Sequence, residues 1–403
     1  MDRGRLEGLA ALSVFSSMFL WGFSNSIATL AAQWPIVPAS AYVYLLASMP
    51  IGLLAGNLSM GHLADRYGRK PVMMAALALY SAGVALMAAA SSWALLALGV
   101  GLLEFSVAGG DEPALLSYLA ESSSEGSRGP LIMLATNGAN VGASAAAAVF
   151  LLAGGDFFEQ RIALVVTLAL ALPLVFLVRR SLPESLAWRE ARGAAPRGLR
   201  LGGPAKLYFL VAMAVTTVLT YGLVSWALGP YYYPNLIPII VLLFNLGATA
   251  GGVLGYATVE RLGRRATSLA YYAGGLASGL AVMAQLILSP ANFPLFVALL
   301  VVNGAFTQLT WGLRLLMEAE LFHTAQRATS IAIVRSSAWT IYIASLFLTQ
   351  GFSVASFMAY DVALWALGVS GAAIWMLRGY ETRGKAIGEL DELAAGWKTA
   401  RAG

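Results

Sequence analysis

The chain runs through one apolar stretch after another, each about 20 residues long with short charged loops between, and that succession constrains the fold more than any motif. A helix rising 1.5 Å per residue needs about this length to cross a hydrocarbon layer of about 30 Å. There the backbone must bond to itself, so the segments are read as helices. With 59% hydrophobic and only 11% charged residues over 403 positions, the chain has too little polar surface for a globule in water. Twelve spans are expected, at about 9–33, 39–60, 71–90, 93–119, 130–153, 161–178, 206–229, 236–259, 267–288, 293–318, 328–351 and 357–377. The first is longer than a signal-peptide core and is followed at once by further spans, so it is expected to be retained.

The loops sort by charge. With the amino terminus placed inside, all but three of the 25 Lys and Arg fall in the N-terminal segment, the even-numbered loops and the tail; the exceptions are Arg161 outside and Arg314 and Arg335 within spans. This asymmetry predicts both termini in the cytoplasm and a multi-pass protein of the plasma (inner) membrane. It also accounts for the +5 charge through lipid headgroups, with no nucleic-acid partner. Zero cysteines and two histidines, His62 and His323, both expected in surface loops, leave no metal site, and no cofactor is expected. Without a Ser-His or His-Glu pairing at depth, an enzyme is not expected.

Between the second and third runs lies GHLADRYGRK at 61–70, where Asp65, Arg66, Arg69 and Lys70 are flanked by Gly61 and Gly68. Such a knot of charge is read as a tight turn at the membrane surface. Asp65 is placed to accept bonds from the first amides of a neighbouring helix, and the cations to bond the last carbonyls of another. VERLGRR at 259–265 repeats it, with Glu260, Arg261, Gly263 and Arg264 standing for Asp65, Arg66, Gly68 and Arg69. Glu121 and Arg128 are seven apart, as are Glu320 and Arg327, and Trp21-Gly22 matches Tyr221-Gly222. These shifts of about 195 to 200 residues indicate an internal duplication. The expected units are a six-helix bundle over 1–178, a cytoplasmic linker over 179–205, a second bundle over 206–378 and a cytoplasmic tail over 379–403.

The G-x-L-a-D-R-x-G-R-K pattern resembles the loop between helices 2 and 3 of the major facilitator superfamily of secondary transporters. YLAESSSEGSRG at 118–129, PESLAW at 183–188, ELFHTAQRAT at 320–329 and YETRGK at 380–385 resemble, in order, the signatures of its sugar porters and organic-ion carriers. Pro is replaced by Ser124, His323 and Tyr380, and LTYGLVSW stands where sugar porters carry Q-Q-x-x-G-x-N. Gly101 and Ser24 stand where many relatives carry a span-4 arginine and a span-1 aspartate. The resemblance implies an all-α integral membrane fold of twelve transmembrane helices in two pseudo-symmetric six-helix bundles, with spans 1, 4, 7 and 10 lining a central cavity.

Ionisable groups within spans are the candidates for chemistry, because each is costly in hydrocarbon. Glu104 and Asp111 in span 4 are seven apart and share a face, while Glu112 turns about 100° away. They are read as proton-coupling acids, or as partners of Arg314 or Arg335 that hold the halves together; Glu112 is read as either a third acid or a packing residue. Asn303, Thr307, Thr310 and Arg314 form one stripe on span 10, and Glu318 is expected to pair with Arg314 or Arg335. Arg335, Trp339 and Tyr342 share a face of span 11, as do Thr136 and Asn140 on span 5, with Asn137 and Ser144 beside them. Arginine can clamp a carboxylate and aromatics can stack on a ring; the alternative is that the aromatics fill the bundle and Arg335 caps Glu320. Asn25, Ser24, Trp21, Tyr221, Ser225 and Trp311 complete the candidate substrate contacts. Gly-rich runs at 247–252 and 273–279 are read as seams for close packing, and Asp361 as a solvated residue near the outer end of span 12.

The expected function is secondary transport of a small polar metabolite, an organic acid or zwitterion, by alternating access with proton symport. The expected partners are a small-molecule substrate, H+ and the lipid bilayer, with the chain a monomer. A sugar porter, proton-linked or facilitative, and a transport-inactive membrane sensor are the alternatives.

Overall fold

The computed structural model describes residues 3–106, 112–191 and 201–396. The secondary structure assigned there is helical throughout. The amino-terminal half comprises α1 (Arg3–Leu30), α2 (Tyr42–Tyr67), α3 (Arg69–Ala88), α4 (Trp93–Glu104), α5 (Glu112–Ser122), α6 (Arg128–Thr136), α7 (Gly138–Leu152) and α8 (Phe157–Ser181). The short α9 (Leu186–Ala191) follows. The second half comprises α10 (Pro204–Tyr221), α11 (Leu228–Tyr232), α12 (Ile237–Thr258), α13 (Arg264–Leu288), α14 (Phe293–Leu321), α15 (Arg327–Thr349) and α16 (Val354–Arg378), and α17 (Ile387–Gly396) lies in the tail. Among the described residues, eleven helical stretches are long and apolar enough to cross a membrane.

Three expected spans depart from a continuous α-helix. The run 93–119 is divided: α4 ends at Glu104, two residues take a π-helical turn, and the chain is described again as α5, which opens with Glu112-Pro113. Proline has no amide to donate backwards and disfavours helix in the residue before it, so it starts a helix better than it continues one. Span 5 tightens at Asn137, whose amide bonds the Leu134 carbonyl three residues back, and so divides into α6 and α7. In span 7 a π-helical turn over Gly222–Ala227 separates α10 from α11.

The charged stretch at 61–70 is also less of a loop than its composition suggests. Helix α2 continues through His62 to Tyr67, and the turn is Gly68 alone, at φ +113°, with α3 starting at Arg69. A side chain at Gly68 would be strained at that angle and would overlap the Glu184 carboxylate.

Exposure follows the membrane reading. Leu152, Leu170, Leu174, Leu288 and Leu377 project outward, while α10 is buried along nearly its whole length and α8 is not. The halves meet along α2 against α15 and α7 against α12. The glycine runs at 247–252 and 273–279 act as expected: a Cβ on Gly247 or Gly251 would overlap the Val301 or Ala305 carbonyl of α14, and one on Gly275 the Trp365 ring of α16. A Cβ on Gly22 would overlap the Ala139 carbonyl of α7, which shows how closely α1 lies against that helix. Asp361 is a correction: far from being solvated, it is fully buried in α16 beside the glycine seam of α13. The chain enters it into the helix interior because Gly279 leaves room for its carboxylate and for Trp365 one turn on.

Candidate functional site

The charged residues of the two repeats gather at one end of the bundle in a buried, nearly two-fold network. Arg69 donates to Asp65 at 2.5 Å, to Glu121 at 3.1 Å and to the Ala64 carbonyl at 3.0 Å. Its counterpart Arg264 donates to Glu260 at 2.6 Å, to Glu320 at 3.2 Å and to the Val259 carbonyl at 2.9 Å. Two arginines then cross between halves: Arg327 pairs with Glu121 at 3.1 Å, and Arg128 with Glu320 at 3.7 Å. Asp65 also crosses, accepting from the Thr329 amide at 2.7 Å and hydroxyl at 2.5 Å in the first turn of α15. Lys70 bonds the Arg180 and Leu182 carbonyls at the end of α8, at 2.9 and 2.6 Å. Arg66 and Arg261 stay exposed outside this network.

The network has members that motif reading passed over. Glu184 accepts from the amides of Arg69 and Lys70, and Glu381 from those of Arg264 and Arg265. Ser185 donates to Glu121, and Thr382 to Glu320 at 2.6 Å. Glu-Ser and Glu-Thr therefore repeat across the halves as the arginines do, a signal present in PESLAW and YETRGK. Asp391 of α17 accepts from the Thr324 amide at 2.9 Å and pairs with Arg327 at 3.4 Å. Burial pushes the Tyr380 phenol up, with the Glu320 charge adding to it.

A charge-assisted bond contributes about 1.5 kcal/mol or more, so removing the carboxylate that joins α2 to α15 should shift the closed end toward opening by roughly tenfold. Because the chain has no native cysteine, one introduced as Ser330→Cys, a buried position, reports that opening cleanly. Adding Asp65→Asn to it is expected to raise its rate of modification by a water-soluble thiol reagent about tenfold. An unchanged rate removes Asp65 from the closure.

Deeper in the bundle an aromatic cluster draws on both halves. Trp21 of α1 stacks on Trp311 of α14 at 5.4 Å and meets Trp226 edge-on at 6.4 Å. Tyr221 contacts Trp226 at 4.8 Å and Trp311 at 5.5 Å, and Trp226 lies 6.5 Å from Trp339 and 5.9 Å from Tyr342. Trp226 was missed because, at 100° per residue, five positions place it about 140° from Tyr221. The π turn, in which bonds close over five residues, brings the two to one face.

Glu104, fully buried at the end of α4, accepts from the Trp21 indole at 2.8 Å and from the Ser24 hydroxyl at 3.1 Å. Asp111 and the Glu112 side chain lie outside the described residues. Toward the charged end, Glu318 receives Arg314 at 3.2 Å and Arg335 at 2.8 Å, and the Arg314 guanidinium lies 4.5 Å over the Trp311 ring. Arg335 thus meets Glu318 rather than Glu320, because the i+4 turn of α14 aligns Glu318 with Arg314 and toward α15.

The remaining candidates divide. Asn140 donates to Asn137 at 2.9 Å and to Gln308 at 2.8 Å, and Asn137 donates to the Thr249 carbonyl of α12 at 2.9 Å, so these amides bridge the halves. Tyr221 donates to Asn245 at 2.6 Å. Asn25 is buried with neither amide atom bonded among the described residues, as are the Trp226 and Trp311 indole N–H groups and the Tyr342 hydroxyl. Thr136 and Thr307 bond carbonyls of their own helices, at Ile132 and Asn303, and Asn303 turns to Ser278 of α13 at 3.1 Å. The stripe on α14 therefore splits: its outer end faces α13, and its inner end faces the aromatics. Among the described residues no group of His, Cys, Asp and Glu could hold a metal.

Residues 6–204 match the family model described as "Sugar (and other) transporter". The 3-(3-hydroxy-phenyl)propionate transporter of Escherichia coli (strain K12) is 31% identical over 247 residues, 58% of this chain and 59% of that protein. The putative niacin/nicotinamide transporter NiaP of Bacillus subtilis (strain 168) is 30% identical over 191 residues, 46% of each. The chain thus spans about half to three fifths of the length of these curated relatives. In fold it is similar to the proton:xylose symporter XylE bound to 6-bromo-6-deoxy-D-glucose, with a TM-score of 0.80 and 16% identity over 97% of this chain and 100% of that one. The family model and the curated relatives show that the chain is similar to sugar and organic-ion transporters, and the likeness along its whole length shows that it shares the fold of the proton:xylose symporter.

Proposed function

We propose that the chain is a secondary active transporter that carries a ring-bearing organic acid through the membrane with protons, by rocking its halves about the aromatic cluster. The observation that carries this reading is the juxtaposition of Glu104 with Trp21 and its stacked neighbours, above an Arg-Glu-Arg group. Glu104 is a carboxyl buried away from water and within bond distance of the rings a substrate would touch. Indoles and phenols offer flat apolar faces, and two arginines sharing one glutamate leave a net positive charge for a carboxylate. The similarity to a hydroxyphenylpropionate transporter and to a proton:xylose symporter supports both parts. In this reading the charged network closes the cytoplasmic end, both termini lie in the cytoplasm, and the chain works as a monomer in the plasma (inner) membrane. It performs no chemistry on its cargo.

Uptake by proteoliposomes with an inward proton gradient tests the proposal. Aromatic carboxylates are expected to accumulate, and hexoses are not. In Arg335→Ala the apparent KM for the acid should rise roughly tenfold or more, the effect of losing one charge-assisted bond. The amides of Asn25, Asn140 and Gln308 suit hydroxyl groups and favour a sugar as the second reading. Uptake of neutral sugars alone by the unaltered protein would select it and end the preference for acids.

A further inference from the structure

Asp361 has no part in the site described above. It lies seven residues into α16, about 10 Å along the helix from its outer end, and is fully buried. Neither carboxylate oxygen has a hydrogen-bond partner among the described residues. The groups around it are neutral. Across α13 it faces the glycine seam, with Oδ2 3.6 Å from where a Cβ of Gly279 would stand, and Ser278 is the next residue. Trp365, one turn along α16, packs on Gly275 and Gly279 and lies 6.4 Å from the Tyr272 ring. On α10, Thr216 spends its hydroxyl on the Leu364 carbonyl.

The charged groups of the surrounding helices are remote along their axes. Arg378 is 17 residues away on α16, Arg264 and Arg265 stand at the far end of α13, and Lys206 at the far end of α10. Arg314 on α14 is 11 residues beyond Asn303, about 16 Å. A carboxylate this deep, with no counter-charge and only the Trp365 indole N–H beside it, is too costly to maintain, so the group is neutral in this state.

Ser278, the neighbour of Gly279, meets the polar stripe of α14. Asn303 donates to the Ser278 hydroxyl at 3.1 Å, Thr307 to the Asn303 carbonyl at 2.8 Å and Thr310 to the Thr307 carbonyl at 2.9 Å. This is the stripe on α14 that ends at Arg314. It explains why Asn303 faces away from the aromatic cluster.

We propose that Asp361 is a proton-binding site of the carboxy-terminal half, separate from Glu104, which carries its proton in this closed state and releases it as the halves move. The proposal rests on the proton-coupled reading above. It makes transport depend on two carboxyls, one in each half. The step is simple acid dissociation: the O–H bond of the carboxyl breaks, the proton passes to water, and the electron pair stays on oxygen.

Two measurements test it. Infrared spectra of the purified protein at neutral pH should show a protonated-carboxyl band that Asp361→Asn removes; identical spectra overturn the proposal without involving transport. In proteoliposomes clamped at zero voltage with a proton gradient of about one pH unit, Asp361→Asn should lower steady-state substrate accumulation about tenfold, the factor carried by one proton across one unit. Counterflow exchange should stay within about twofold of the unaltered protein, and Asp361→Glu should restore accumulation. Unchanged accumulation in Asp361→Asn overturns the proposal, because a permanently held proton has no effect on coupling. Loss of counterflow in both variants makes the residue a packing element and overturns it as well. Failure of the unaltered protein to respond to a gradient defeats the coupled reading instead, and the infrared arm still decides whether Asp361 is protonated.

Discussion

Replacing Glu104 by glutamine is expected to lower accumulation driven by a proton gradient of about one pH unit about tenfold, the share of one proton, while substrate exchange at equal pH continues. The two outcomes separate because glutamine keeps the shape of the side chain and its carbonyl still accepts from Trp21 and Ser24. What it cannot do is change charge. A permanently neutral residue carries no proton down the gradient, so its share of the concentration work disappears but the passage remains. Counterflow measured beside gradient-driven uptake checks this. If Glu104→Gln concentrates its substrate as far as the unaltered protein does, coupling belongs elsewhere and Glu104 is an anchor for the Trp21 indole.

Glu318→Ala should produce the largest loss of stability. The residue is fully buried and is shared by two guanidiniums that have less than 2% exposure each. Removing one member of a buried ion group costs about 3–5 kcal/mol, because the charges left behind are desolvated without compensation. For a chain of this size that corresponds to a melting temperature lower by roughly 5 °C, measurable by thermal unfolding in detergent. Replacing all three charges together, as Arg314→Met, Glu318→Leu and Arg335→Met, should recover most of that stability, since well-packed apolar side chains replace such groups at little net cost. The triple variant should nonetheless fail to take up the acid. Full uptake by it would make the group purely structural.

How much of this was legible from the sequence depended on the range of the interaction. Hydrophobic length located the helices, because the bilayer imposes that length on every crossing segment. Duplicated charges at 61–70 and 259–265 located the closed end, because burying arginine demands a partner and the partners recur with it. Local departures from helix were not legible. Nothing in LTYGLVSW distinguishes an α from a π turn, and that one extra residue decides whether Trp226 joins Tyr221. The stripe on α14 was found by its period, but period does not say which neighbour a face meets, so Asn303 was assigned to the centre and lies against Ser278. Asp361 was misplaced because nearness to a helix end was taken for exposure, while the room made by Gly279 is visible only in three dimensions.

The two glutamates at the closed end have a property that bears on how fast it can part. Each is gripped twice, Glu121 by Arg69 of its own half and Arg327 of the other, Glu320 by Arg264 and Arg128 in the same manner. On separation each acid keeps its domestic cation, and Arg327 keeps Asp391. In the proposed cycle neither glutamate is stripped to a bare anion when water enters: parting removes the second grip on each and the Asp65 bonds to Thr329, and leaves the rest of each half's network in place.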